Sequence, residues 1–349
     1  MRFLNKDTDC DIQTSTEKQE EPMNSASPGQ LDPQVQALLR QRAANRPPAP
    51  KSPLSPTEAI ATERNGYRQT IPLAGKPEAI HKVENSSIPG TAGTIPIRIY
   101  TPRVAQDLPV LVYFHGGGFA LGDLDTHDTP LRTLANRVDC IIVSVAYRLA
   151  PEHPFPAGIE DAYTATQWVS QNAKAIGGDT TRIAVAGDSA GGTIATVVTK
   201  MARDRRTLSI AYQVLIYPNT DTTLSSTSWQ ELGSRGYVLT TDRKKQSYER
   251  YIPQEVDPQH PYISPLQGDL RNLPPAFLIT GEFDPLRDEG EAYAKRLQQA
   301  GVSVKAKRYN GMIHGFFQMG GVIDQGNQAI SDVAMTLKEA FANPPKRKN

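Results

Sequence analysis

From residue 79 onward the chain alternates short apolar runs with longer stretches of helical periodicity. Few architectures accept that grammar. Residues 109–114, 140–146, 182–186, 209–217, 275–280 and 302–309 read as strands, and 94–100 alternates at period two with Ile95, Ile97 and Ile99 on one side. Several of these runs are apolar on both faces, which is the pattern of parallel strands covered by helices. Between them, 157–176 is helical up to Gly177-Gly178, and a second helix follows Ser189 with Ala190, Ile194, Val197, Val198 and Met201 on one face. A third, 286–300, places Leu286, Tyr293 and Leu297 at helical spacing, and a fourth, 330–341, uses Ile330, Val333, Leu337 and Phe341. Strand–helix repetition of this kind predicts an α/β sheet.

Composition narrows the function classes. Thirty-eight basic residues stand against 37 acidic ones in 349, so the chain lacks the basic excess of a dedicated nucleic-acid binder. Two cysteines, Cys10 and Cys140, supply neither a disulfide framework nor a zinc cage. No apolar run approaches the ~20 residues a spanning helix needs, and residues 1–7 carry no apolar leader. These features predict no stable membrane insertion and a cytoplasmic location.

Residues 1–30 hold three basic and six acidic residues with almost no apolar pattern, and read as a disordered tail; 344–349 reads as a short basic tail. Order is expected from Asp32-Pro33, an N-cap followed by proline at the first helical position. Residues 46–56 contain five prolines and read as a stiff connector, after which Ser55 and Glu58 have capping-box spacing. Residues 218–262, including the charged helix-like piece 241–251, interrupt the strand–helix alternation. Together with 31–65 they are expected to form a cap on a catalytic domain spanning 66–343.

Gly187-Asp188-Ser189-Ala190-Gly191 matches G-x-S-x-G at a strand-to-helix turn, where a serine can be held above the sheet. The bland alternative is a helix-capping serine. A serine hydroxyl needs a neighbouring base to become nucleophilic. Of the histidines after Ser189, His260 lies in the presumed cap in a proline-bracketed loop. His314 falls between the last strand and last helix, at the carboxyl edge of the sheet, and is the expected base. Asp284 follows the strand 275–280 and reaches the same edge as the orienting acid, although Asp284-Pro285 also reads as an N-cap pair opening the next helix. Asp288 fits the dipole of that helix better. The glycines of His115-Gly116-Gly117-Gly118-Phe119 follow another strand and free backbone N–H groups to meet a developing oxyanion. His115 itself is expected to steady that loop.

His115-Gly-Gly-Gly-Phe119, the run Tyr147 to Ala157, Gly187 to Gly192, Asp284 to Gly290 and His314-Gly-Phe316 together resemble the hormone-sensitive-lipase-like (bacterial family IV) esterases, in the same order and over about residues 31–341. The resemblance implies an α/β-hydrolase fold with eight mostly parallel strands flanked by helices, and a helical cap. It implies Ser189 as nucleophile, Asp284 as acid, His314 as base, and an oxyanion hole of the Gly117, Gly118 and Ala190 N–H groups. It also implies hydrolysis of short- to medium-chain acyl esters, with a small-molecule ester as partner and neither cofactor nor metal. An amidase or acyltransferase would use the same triad. A non-catalytic receptor on the same fold would lack the histidine that stands here at 314. The charged piece 241–251 predicts a polar cap face that disfavours long acyl chains, and an exposed sheet edge near 302–309 could pair two subunits.

Overall fold

The protein is described by a computed structural model over residues 29–45 and 52–343. The expected N-terminal tail (apart from Gly29 and Gln30), most of the proline-rich connector, and the basic tail at 344–349 lie outside the described residues. Among the described residues, eight strands form one sheet: β1 (Lys82–Gly90), β2 (Gly93–Thr101), β3 (Leu108–Phe114), β4 (Ile141–Val145), β5 (Gly178–Asp188), β6 (Tyr212–Ile216), β7 (Ala276–Phe283) and β8 (Val304–Ile313). Their spatial order is β1-β2-β4-β3-β5-β6-β7-β8. β2 runs antiparallel to both β1 and β4, and every other neighbouring pair is parallel. β8 is an outer strand of the sheet.

The helices among the described residues are α1 (Pro33–Ala44), α2 (Pro56–Arg68), α3 (Asp128–Val138), α4 (Ala157–Asn172), α5 (Ala190–Arg205), α6 (Thr227–Leu232), α7 (Thr241–Tyr251), α8 (Arg287–Gln299) and α9 (Asp324–Ala342). Local chemistry fixes the first two starts. The Asp32 carboxylate accepts the Gln34 N–H ahead of Pro33. Ser55 and Glu58 complete a reciprocal capping box ahead of α2.

Alternation along the strands splits the core in two. Val110, Val112, Phe114, Val143 and Val185 meet α4, α5 and α8 through Ile159, Ile194, Val198 and Leu297. Leu111, Tyr113, Ile142, Ala184 and Val214 face the other way, onto Leu131 and Leu134 of α3, Val333 and Leu337 of α9, and Val35 and Leu38 of α1. Each buried aliphatic of this kind contributes roughly 1.5–3 kcal/mol relative to exposure, so the sheet forms a stiff platform.

Three elements lack a reading at the sequence level. β1 buries only Ile88 of its nine residues, so no alternation marks it. α3 does carry Leu131, Leu134, Ala135 and Val138 at helical spacing. α6 is too short, at six residues, to show a period. The apolar spacing at 330–341 begins only two turns into α9, whose start at Asp324 is polar. Among the described residues no helix is long and apolar enough to cross a membrane.

Candidate active site

β5 ends at Asp188 and α5 begins at Ala190, so Ser189 alone makes the reversal, at φ 54° and ψ −119°. A non-glycine residue there is strained and persists only where its surroundings hold it. The close approach of α5 to β3 explains one flanking glycine: a Cβ at Gly191 would sit 2.0 Å from the Phe114 carbonyl oxygen. Ser189 occupies the N-cap position of α5 yet makes no capping hydrogen bond with its side chain. Its Oγ lies instead 2.9 Å from Nε2 of His314.

His314 follows directly on β8, and Asp284 directly on β7. Their side chains meet, His314 Nδ1 to Asp284 Oδ2, at 2.7 Å. Asp284 is fully buried, and its other oxygen accepts the Leu286 N–H at 2.9 Å. Asp284 is not the N-cap of α8, which opens at Arg287 with Leu286 in the N-cap position; its bond to the Leu286 N–H has the form of the Asp32 cap on α1, but it stands two residues ahead of the N-cap position. With both oxygens engaged, the carboxylate selects the imidazole tautomer protonated at Nδ1, leaving Nε2 to accept the Ser189 hydroxyl. Tyr217 packs its ring 4.8 Å from the His314 ring. His260 takes no part: its ring packs on Phe155 and Tyr262, and its Nδ1 accepts the Tyr262 N–H. Asp288 accepts the Ser228 N–H at 2.7 Å.

The glycine loop leaves β3 beside this line. Gly117 has φ 122°, and a Cβ there would lie 2.2 Å from the Leu121 carbonyl oxygen. Ala190 opens α5, where an N–H has no partner within the helix and the dipole favours negative charge. His115 braces the loop from behind. Its Nδ1 lies 2.8 Å from the Gly116 carbonyl, its ring stacks on Tyr147 at 4.4 Å, and its own carbonyl accepts the Tyr147 hydroxyl. Burial first, then the neighbouring His127, push the His115 imidazole down to about 4.

Asp188 was not singled out by the motif, although it sits inside it. The fully buried carboxylate accepts the Tyr113 hydroxyl at 2.9 Å, the Gly116 N–H at 3.0 Å and the Gln318 amide at 2.7 Å, and lies 3.1 Å from His127 Nε2. Burial works to raise its pKa, but His127, the Tyr113 hydroxyl and His115 outweigh burial and leave it below the usual carboxylate value. An acidic residue between an apolar strand and the serine was the available signal, because such a charge is costly to bury without partners.

A family model described as the α/β-hydrolase fold matches residues 111–318, a span that contains Ser189, Asp284 and His314. The chain is 45% identical over 252 residues to carboxylesterase NlhH of Mycobacterium tuberculosis, covering 71% of this chain and 79% of that protein. The chain is an α/β-hydrolase of the hormone-sensitive-lipase-like esterase family. Ethyl acetate hydrolase of Pseudomonas putida is 36% identical to this α/β-hydrolase, over 88% of this chain and 99% of the relative. Among solved structures, a hyperthermophilic esterase from the archaeon Pyrobaculum calidifontis superposes with a TM-score of 0.83 at 44% identity, over 89% of this chain and 99% of that one. With such relatives, the α/β-hydrolase described here is a carboxylic ester hydrolase.

Proposed function

We propose that this enzyme hydrolyses short- to medium-chain acyl esters through Ser189, His314 and Asp284. The observation that carries the reading is the unbroken line from Ser189 Oγ to His314 Nε2 and from His314 Nδ1 to Asp284 Oδ2. Ser189 Oγ attacks the ester carbonyl carbon while His314 Nε2 takes its proton. The carbonyl oxygen becomes an oxyanion facing the N–H groups of Gly117, Gly118 and Ala190. Collapse breaks the ester C–O bond, and the alcohol leaves with the proton from His314. Water then attacks the acyl-enzyme by the same route and releases the carboxylic acid.

In the same reading, α2, from the expected N-terminal part 31–65, and the 218–262 segment with α6 and α7 form a cap. Arg250 of α7 makes a bidentate pair with Glu63 of α2 at 2.6 and 2.7 Å, which supports treating the two segments as one unit. The inward face of α7 carries Lys244, Ser247, Tyr248 and Tyr251 rather than aliphatic side chains. A face of that polarity suits small esters, as does the substrate named for the Pseudomonas relative.

The test is the initial rate on p-nitrophenyl butyrate for wild type and Ser189→Ala. Loss of a triad nucleophile costs on the order of 10⁶ in turnover, so the variant should fall to background. Equal rates for the two proteins would remove Ser189 from the mechanism. With p-nitrophenyl acetate, butyrate and decanoate, the decanoate should react slowest.

A further inference from the structure

Along α7, residues Lys244, Ser247, Tyr248 and Tyr251 follow the i, i+3, i+4, i+7 spacing of a single helix face. That face spans the gap between the turn carrying Ser189 and the glycine loop. The Ser247 hydroxyl donates to the Gly118 carbonyl at 2.6 Å. Helical serines and threonines ordinarily bond back to the carbonyl four residues earlier, as Thr62, Thr166 and Ser331 do in this protein. Ser247 instead reaches another part of the fold. One turn on, Tyr251 lays its ring on Phe119, with centroids 3.9 Å apart and planes 6° from parallel.

The other end of the face is anchored to the nucleophile's side. The buried Lys244 ammonium donates to Asn219 Oδ1 at 2.6 Å. The Asn219 backbone N–H reaches the Ser189 carbonyl at 3.4 Å, and its carbonyl accepts the Thr193 hydroxyl. One rigid helix therefore touches the main chain of the glycine loop directly and the serine turn through Asn219.

We infer that Ser247 is a positioning residue for ester hydrolysis, holding the glycine loop at its working distance from Ser189. This deepens the proposed function and rests on its assignment of the oxyanion donors. Gly117 and Gly118 have no side chains and Gly118 sits at φ 61°; the Gly117 carbonyl is held by the Ala120 and Leu121 N–H groups, while the Gly118 carbonyl is held from outside the loop by Ser247. The Ser247 bond fixes the Gly118 carbonyl and with it the ψ of Gly118. Donors held before charge develops stabilise the transition state without reorganising, so their loosening costs turnover rather than substrate affinity.

The experiment compares Ser247→Ala and Ser247→Thr with wild type on p-nitrophenyl butyrate. It also measures inhibition by an alkyl trifluoromethyl ketone, whose hemiketal on Ser189 carries the oxyanion. Alanine is the best helix former, so α7 is not endangered by the first variant. Loss of one such hydrogen bond should lower kcat about tenfold with KM changed less than about twofold. Trifluoromethyl ketone affinity should fall by the same factor as kcat/KM, and threonine, which keeps the hydroxyl, should restore most of both. An unchanged kcat in folded Ser247→Ala would overturn the inference, as would a loss confined to KM or one that threonine fails to rescue. The underlying assignment fails separately, if Ser189→Ala retains turnover.

Discussion

The carboxylate of Asp188 accepts the backbone N–H of Gly116 at 3.0 Å, so the residue before the serine is tied to the residue before Gly117. One buried charge thereby links the strand-to-helix turn to the glycine loop. The substitution Asp188→Asn keeps the shape but sets an amide NH₂ or a neutral oxygen against donors from Tyr113, Gly116 and Gln318. Each buried donor left without its acceptor costs about 1–3 kcal/mol. This variant should therefore show a markedly lower urea midpoint and a reduced kcat in the molecules that remain folded. An unchanged midpoint would show that the charge contributes nothing to the fold.

A second buried charge pattern lies under α7. Glu289 accepts the Asn219 amide at 2.8 Å, the Thr220 N–H at 2.8 Å and the Trp229 indole N–H at 2.9 Å, while Lys244 bonds the other end of the Asn219 amide. Burial raises Glu289 to about 7 and lowers Lys244 to about 8, and the charge of each partly offsets the shift of the other. Lys244→Met should cost about 1–3 kcal/mol, since it takes the ammonium donor from Asn219 Oδ1 and removes a cation that favours ionised Glu289. Adding Glu289→Gln should recover part of that loss, a non-additivity readable from urea melts of the two single variants and the double variant. Strict additivity would mean that the two charges do not support each other.

Acid should act through His115. Its folded value of about 4 lies below the ordinary 6.5, chiefly because of burial, so the folded protein binds this proton less readily than the unfolded chain. For a depressed folded pKa, stability is complete above the ordinary value and is lost as pH falls towards 4. The full difference corresponds to roughly 3 kcal/mol. His115→Phe can keep the stack on Tyr147 while removing the titration, so its stability should fall less steeply with acidification than that of wild type. Parallel slopes in denaturant melts between about pH 7 and about pH 4 would refute this assignment.

Much of this protein is determined by its sequence alone. Runs such as Val110–Phe114 and Ile141–Val145, apolar but for Tyr113 and Ser144, have nowhere to go but a covered sheet, and Asp32-Pro33 and Ser55-Pro56 set the starts of α1 and α2 without tertiary help. The serine turn, the glycine loop and the histidine and aspartate at the carboxyl edge follow from the same logic, since parallel strands deliver their following residues to one edge. β1 was not legible, because a strand lying mostly in solvent needs no alternation. Only the folded chain brings Ser247 to Gly118, Lys244 to Asn219 and Asp188 to Gly116. Short-range propensity is written into neighbouring residues, whereas a hydrogen bond between residues far apart in the chain depends on where the packed core sets each backbone.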